Sequence, residues 1–346
     1  MLSRILLFQC LLLLWPVAAD AEPVKLRVTL QLPITSHLGA NLLRFKTVVE
    51  QRGEGAVTVE IYDDSRLYRD DQAVDAVASG AIEMTSVTSK QLTGKVPALG
   101  LIEQPFLFNS EALVRAAVHP DSDIRQLLDR AVLAATGLRV LWWQSYGSNV
   151  LFGKARDVRH PDGIHGQKIR VAGENMASFI RYCGGVPSLI SASKQLQAIK
   201  DGTVDMIMTS ITGVQSRELW KATDTITRTE HAAAEFLVMI NDKVWQSLGA
   251  RVQAAVAEAA KVVEQELRDA MADIEAKAYA FALGKGMKVL ELGPDHVAEW
   301  RACSAPLVDE FMNEGGELAS KLMAAYGKLR QQPCCSGGPA GGFSKR

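Results

Sequence analysis

The stretch GQKIRV (Gly166–Val171) sets Lys168 and Arg170 in alternation with Ile169 and Val171. A two-residue period is that of a β-strand, so Ile169 and Val171 turn to a core and Arg170 to the opposite face. A guanidinium placed there meets either bulk water or a group that wants a planar cation. Its fixed fork of donors matches a carboxylate through two parallel hydrogen bonds, which makes Arg170 the first candidate for chemistry. The alternation by itself leaves the solvated reading open. Thr209 and Ser210 close the strand-like TVDMIMTS, where short hydroxyls can serve a ligand or cap the next helix. Trp143, Tyr146 and Trp220 stand near the ends of expected strands or helices, where they can wall a ligand or fill a core.

Catalytic arrangements are not evident. The histidines (His37, His119, His160, His165, His231, His296) follow no H-E-x-x-H or other metal-ligand spacing. Neither a G-x-S-x-G nucleophile elbow nor a P-loop is present, and no pair of carboxylates stands out. GKGMKV (Gly284–Val289) begins like a dinucleotide loop but falls between a helix and a strand, the reverse of the required order, so it reads as a helix stop. The expectation is a binding protein rather than an enzyme, without cofactor or metal. The rival is a secreted α/β enzyme that anchors a carboxylate substrate on Arg170.

These candidates need strands to carry them. VKLRVTLQL (Val24–Leu32), AVTVEIY (Ala56–Tyr62) and AIEMTSV (Ala81–Val87) alternate as strands, with helical spacing over 37–53 and 70–80 between them. That βαβαβ order predicts a mostly parallel sheet with helices on both faces. Helices follow at 111–118 and 123–135. The pattern then restarts with strands at 137–144 and 148–154, QKIRV, a helix around 175–183, a helix over 191–202 and the strand 203–210. A long strand enters a helix across 231–245. Residues 250–283 contain neither proline nor glycine and read as one helix, about 50 Å long at ~1.5 Å per residue. Such a helix can brace two lobes, and ligands of such folds gather at the carboxyl ends of strands.

The chain has 346 residues, 48% hydrophobic and 22% charged, as for a soluble protein of one large or two moderate domains. Its 38 basic residues against 39 acidic ones argue against nucleic acid or an anionic membrane as partner. The leader MLSRILLFQCLLLLWPVAADA has Arg4, an apolar run Ile5–Val17 and the small-x-small site Ala19-Asp20-Ala21, which is a secretory signal peptide cleaved near Ala21. The mature chain is expected outside the cytoplasm with no stable membrane insertion, since no later run nears ~18 apolar residues. Cys183 and Cys303 read as free, small, buried side chains. Residues 331–346, QQPCCSGGPAGGFSKR, with Cys334 and Cys335, read as a disordered tail.

Taken together, GQKIRV, GGVP (Gly184–Pro187) and GTVD (Gly202–Asp205) resemble the central signature of the DctP-type substrate-binding proteins of TRAP transporters. So do VPALGLIEQPFLFNSEALVRAAV (Val96–Val118), SRLYRDDQAVDAVASGAIEM and AEFLVMINDKVWQSL. The resemblance implies a periplasmic, two-lobed α/β binding-protein fold with a ligand cleft and the long helix bridging the lobes. It implies a protein that closes on a small organic acid and hands it to a pair of membrane permease subunits; a sensor partner is the other possibility. The lobes would be 22–143 plus 237–265 and 144–236 plus 266–330, hinged near Trp143–Tyr146 and Glu235–Leu237. Arg170 takes the place of the arginine that pairs with the ligand carboxylate. Asn149 stands where many members carry a second arginine, Thr209 where they carry a ligand-contacting asparagine, Lys194 where glutamate is usual and Leu196 where tyrosine is usual. A monocarboxylate with an apolar or aromatic body is the expected ligand. Asn149, Thr209 and Thr88 would give neutral hydrogen bonds, and Trp143, Tyr146, Trp220 and Phe236 the walls.

Overall fold

The computed structural model describes residues 22–108 and 110–335; the leader and residues 336–346 lie outside them. In chain order the elements are β1 (Val24–Leu30), α1 (His37–Gly53), β2 (Val57–Tyr62), α2 (Asp70–Ala78), β3 (Met84–Thr88), α3 (Glu111–Val118), α4 (Asp123–Thr136) and β4 (Leu138–Gly153). There follow β5 (Lys168–Val171), α5 (Glu174–Tyr182), β6 (Val186–Leu189), α6 (Gln195–Lys200), β7 (Met206–Ser210), α7 (Gly213–Ser216), β8 (Thr225–Thr227) and β9 (Ala233–Asn241). The chain closes with α8 (Asp242–Ser247), α9 (Ala250–Gly284), β10 (Lys288–Leu290), α10 (Pro294–Ser304) and α11 (Pro306–Arg330), the last broken at Gly316.

Local chemistry sets these boundaries. Ser36 Oγ accepts the Gly39 N–H at 3.1 Å and opens α1, filling one of the donors a helix start leaves unpaired. Leu38, Leu42, Phe45 and Val49 recur along one face of α1 and are wholly buried, the stripe that seats an amphipathic helix on a sheet. Ser122 caps α4 in the same way, and Gly137, at φ 71°, ends it in the left-handed conformation that glycine adopts without strain.

The strands form one continuous sheet in the order β2-β1-β3-β9-β4-β7-β5-β6, with β8 against β4 and β10 against β8. It is mixed rather than mostly parallel. β9 runs antiparallel to β3 and β4, and β4 runs antiparallel to β7 and β8. The two strands expected at 137–144 and 148–154 are one strand, whose register with β9 slips at Val140/Trp142 and Ser145/Gly147. Tyr146 and Gly147 resemble a turn in the sequence, but the chain absorbs them as a bulge and continues. One part of β4 thus belongs to each half of the sheet.

Each half is covered on both faces. Trp143, Leu237, Leu99 and Phe311 pack on one face of the first half, and Trp142, Phe236, Phe45 and Val256 on the other. In the second half Ile169, Val171, Met208 and Phe179 share a core opposite to that of Val150, Phe152 and Ile207. The 35-residue α9 contributes Val252, Val256 and Val263 to the first half and Ala278 and Ala282 to the second. It therefore bridges them, as its unbroken pattern predicts.

One expectation about cysteine fails. Cys183 and Cys303 form a disulfide, with Cα atoms 5.0 Å apart across 120 residues of sequence, fastening α5 to α10. Chain length limits how much a fold needs such a link, not whether a link forms when two cysteines meet. Of the tail expected over 331–346, residues 331–335 form turns, with Cys335 buried beside α11 and Cys334 exposed, and the rest lies outside the described residues. Among the described residues no helix is long and apolar enough to cross a membrane.

Candidate ligand-binding site

The two sheet halves meet over a narrow cavity. Thr88, Tyr146, Asn149, Arg170, Thr209 and Phe236 all line it, six of the side chains singled out by the sequence. They arrive from the carboxyl end of β3, the middle of β4, β5, the carboxyl end of β7 and the first part of β9, the strand-end placement expected of ligand sites in such sheets. Its free volume is about 20 Å³, room for one or two waters.

Arg170 is held on a strand paired on both sides, by β6 and β7, while Ile169 and Val171 are fully buried in the core. Arg170 is only 2% exposed. Its Nε donates to the Ile190 carbonyl at 2.8 Å and Nη1 to the Met208 carbonyl at 3.4 Å. It makes no ion pair among the described residues. Burial pulls its pKa down to about 10, with Asp70 the main charge working the other way. A guanidinium left this way keeps unused donors in a water-poor space, where an unpaired charge is costly and a carboxylate partner is correspondingly favoured.

The walls are aromatic and polar. Tyr146 stacks on His37 with ring centroids 5.4 Å apart and leans on Phe236 at 5.1 Å. Burial lowers His37 to about 4, so its ring is neutral, and burial raises the Tyr146 phenol. Asn149 donates from Nδ2 to the Ala232 carbonyl at 3.2 Å, and Thr88 donates to the Glu235 carbonyl at 3.4 Å. The halves are latched beside the cavity. Asp70, on α2, accepts from Ser191 Oγ at 2.6 Å and from the Ala192 N–H at 3.4 Å. Asp64 pairs with Arg217 at 2.8 Å, and Arg217 also donates to the Gln31 carbonyl.

Two aromatic candidates lie elsewhere. Trp143 is fully buried in the first-half core, where its Nε1 donates to Asp129 Oδ1 at 2.9 Å and Arg125 lies 5.1 Å from the ring. It points away from the cavity, on the face of β4 opposite Trp142. Trp220 is half-buried on the far side of the second half, packed on Phe281 with Lys285 Nζ 4.3 Å from its ring. A short turn after α7 carries it there, which nearness in sequence to a strand end does not convey.

Three polar liners were not singled out: Gln31, Lys90 and Gln195. Lys90 is 6% exposed, its amine pKa lowered by burial and opposed chiefly by Glu103. Glu103 Oε2 is nevertheless buried without a hydrogen-bond partner, so the ammonium does not reach it. Gln195 adjoins Lys194, already marked as unusual, and that was the available signal; Gln31 and Lys90 carried none beyond lying just past or two residues past a strand end.

The junction under the cavity is built on charge. Glu235, wholly buried, takes two hydrogen bonds from Arg268 of α9 at 3.1 and 2.8 Å. At the Ser145/Gly147 slip, Glu275 of α9 accepts the Ser148 N–H at 2.7 Å. Burial pushes this carboxyl up to about 7, with Glu230 adding to the rise.

With this geometry in place, the comparisons decide the family. The bacterial extracellular solute-binding proteins of family 7 (DctP) match residues 31–315. The chain belongs to that family. It is 27% identical over 307 residues to a solute-binding protein of Verminephrobacter eiseniae, covering 87% of this chain and 89% of the relative. Its fold is similar to the sugar acid binding protein DctPAm of Advenella mimigardefordensis in complex with galactonate, with TM-score 0.84 and 22% identity over 90% of this chain and all of that one, 100%. It is also similar to a TRAP periplasmic solute binding protein of Shewanella oneidensis with bound succinate, with TM-score 0.82 and 20% identity, covering 88% of this chain and 99% of the other. The two-lobed α/β fold of this family is thus the fold of this chain.

Proposed function

We propose that this protein is the extracytoplasmic receptor of a TRAP-type importer, and that it captures a small organic acid bearing one carboxylate. One observation carries the reading: Arg170 is buried at 2% exposure on a cavity between two lobes, with no ion pair of its own among the described residues. The acids bound by the similar structures, galactonate and succinate, support a carboxylate as cargo. Asn149 and Thr209, rather than further arginines, stand beside Arg170 and favour a single carboxylate at the guanidinium; Lys90 is the other cation lining the cavity. The leader supports export to the periplasm, with the mature chain starting near Glu22, and delivery to membrane permease subunits. The protein binds and releases; it does not transform its cargo.

Loading requires motion: the lobes part to admit the acid, and the side chains around the cavity, which now leave about 20 Å³, shift to house it. The lobes would part by bending β4 near Trp143–Tyr146 and β9 near Glu235–Leu237, with α9 flexing; α11, assigned by sequence to the second lobe, packs Phe311, Leu322 and Leu329 into the first-half core and would move with that half. Opening breaks the Asp70–Ser191 and Asp64–Arg217 contacts; closing restores them and dries the carboxylate–guanidinium pair.

The test is a set of thermal melts on residues 22–346 with small carboxylates, their neutral amides and amines of similar size. A ligand at ~100 times its dissociation constant adds about 2.7 kcal/mol, worth several degrees. Carboxylates shift the melt and amides do not. If an amine or amide stabilises while no acid does, the carboxylate reading is wrong.

A further inference from the structure

Cys334 and Cys335 are the free cysteines among the described residues, and ligand capture uses neither. Residues 332–335 form a turn in which the Cys335 N–H donates to the Gln332 carbonyl at 2.9 Å. Pro333 takes its second position, where a fixed φ suits such a turn. The turn splits the pair. Cys335 points inward, 3% exposed, and joins Leu322 and Leu329 in the first-half core. Cys334 points outward and lines a groove of about 620 Å³ between α3, the start of α4 and α11, with Arg115, His119, Asp123 and Lys328. The groove shares no lining residue with the cavity of Arg170.

The two thiols touch. Burial first, and then the contact with Cys334, raise the Cys335 thiol to about 11. Cys335 is thereby kept protonated and out of reach of reagents, while Cys334 stands in the groove. A disulfide that enters the groove meets Cys334 first. The mixed disulfide it leaves lies against the second thiol, which is the arrangement of an attacking cysteine with a resolving one. The second attack is intramolecular, so nearness makes up for the small share of thiolate. Neighbouring Cα atoms are ~3.8 Å apart, closer than the ~4.4–6.8 Å that a relaxed disulfide prefers. Cys183 and Cys303, at 5.0 Å, fall inside that range. A bond between the neighbours is strained and easily reduced.

We propose that Cys334–Cys335 is a reversible thiol–disulfide exchange site on the outside of the first lobe, and that its substrates are small disulfides admitted by the groove. The Cys334 thiolate attacks one sulfur of R–S–S–R. A Cys334–S–S–R bond forms, the bond within R–S–S–R breaks, and the departing thiolate takes up a proton. Cys335 then gives its proton to solvent and attacks the Cys334 sulfur, which forms the Cys334–Cys335 bond and releases the second R–SH. The chain loses two electrons and two protons, and R–S–S–R is reduced to two R–SH. Extracytoplasmic compartments are oxidising and sustain such disulfides.

The experiment treats residues 22–346, mildly reduced and then freed of reductant, with dithiobis-nitrobenzoate and separately with glutathione disulfide. The native protein releases two thiols per chain, retains no adduct, and loses the mass of two hydrogens. Cys335→Ala releases one thiol and retains the other half as an adduct. Cys334→Ser reacts at least about tenfold more slowly than Cys335→Ala until it is unfolded. A cooperative unfolding transition shows that each variant is folded, and the wild-type count stands without either. Phenylarsine oxide, which bridges neighbouring thiols, blocks the native reaction at one per chain. In a graded titration with dithiothreitol the Cys334–Cys335 bond opens before the Cys183–Cys303 bond. A wild type that retains an adduct overturns the proposal and makes Cys334 an isolated surface thiol. Fast reaction of native Cys334→Ser overturns it as well, as does a bond between the neighbours no easier to reduce than Cys183–Cys303.

Discussion

Replacing Arg170 by methionine should abolish acid binding and leave the empty protein as stable as before, or more so. Burial lowers the guanidinium well below its ordinary range, to about 10. That drop corresponds to uncompensated desolvation on the order of 3 kcal/mol in the ligand-free protein. Methionine has similar reach and removes the charge. It also strands the Ile190 and Met208 carbonyls, which now accept from Arg170; the 3.4 Å bond is weak, so this loss is about 1–2 kcal/mol. The balance is a gain of about 1–2 kcal/mol, or a rise of a few degrees in melting temperature for a protein of this size. The assay is denaturant unfolding of both proteins without ligand, followed by melts with the acid that shifts wild type most. A residue kept for structure behaves oppositely, because breaking its contacts costs several kcal/mol. If Arg170→Met loses more than about 2 kcal/mol and still responds to the acid, the argument that Arg170 is strained for a ligand is refuted.

Four further outcomes follow from the structure. Glu275 titrates near 7 in the fold against 4.5 for an ordinary glutamate, so its contribution is complete below pH 4.5 and is lost as pH rises through 7, about 3 kcal/mol in all; Glu275→Gln, which keeps an oxygen for the Ser148 N–H, should remove that decline, and unfolding at pH 4.5 and 8 with equal slopes for both proteins would contradict it. His231, lowered by burial to about 3, works in the opposite direction between pH 3 and 6.5, so His231→Asn should lessen acid unfolding in that window when followed by circular dichroism. Cys183→Ser with Cys303→Ser opens a link spanning 120 residues and should cost about 2–4 kcal/mol, as should reduction of the wild type; an unchanged midpoint in reductant would show that the bond adds nothing. Gly147→Ala places a Cβ 2.4 Å from Glu275 Oε1 at φ +92° and should cost at least about 2 kcal/mol, read by the same denaturant titration.

Much of this architecture is carried by local pattern. Ile169 and Val171 flanking Arg170, the stripe of Leu38, Leu42, Phe45 and Val49, and the unbroken 250–283 helix each depend on neighbours a few residues away, so periodicity reveals them. What stayed hidden depends on distant partners. Cys183 meets Cys303 only because α10 folds along α5. The segment around Tyr146 and Gly147 reads as a turn, and becomes continuous strand because β9 pairs with it on one side and α9 seats it from the other. Trp142 and Trp143 look alike in sequence, yet face different cores because the pleat turns successive side chains to opposite sides. The cavity shows the same division. Arg170 announces itself as a charge inside an apolar strand, whereas Gln31, Lys90 and Gln195 are ordinary surface residue types until the two lobes close over them.

The central claim is that Arg170 receives a carboxylate in the closed cavity. A crystal structure of residues 22–346 grown with the acid that gives the largest melt shift tests it most directly. The account predicts both carboxylate oxygens within about 3 Å of the Arg170 guanidinium nitrogens, with Asp70 still bonded to Ser191. A ligand whose carboxylate lies elsewhere, or one bound with Arg170 turned away to solvent, would contradict it.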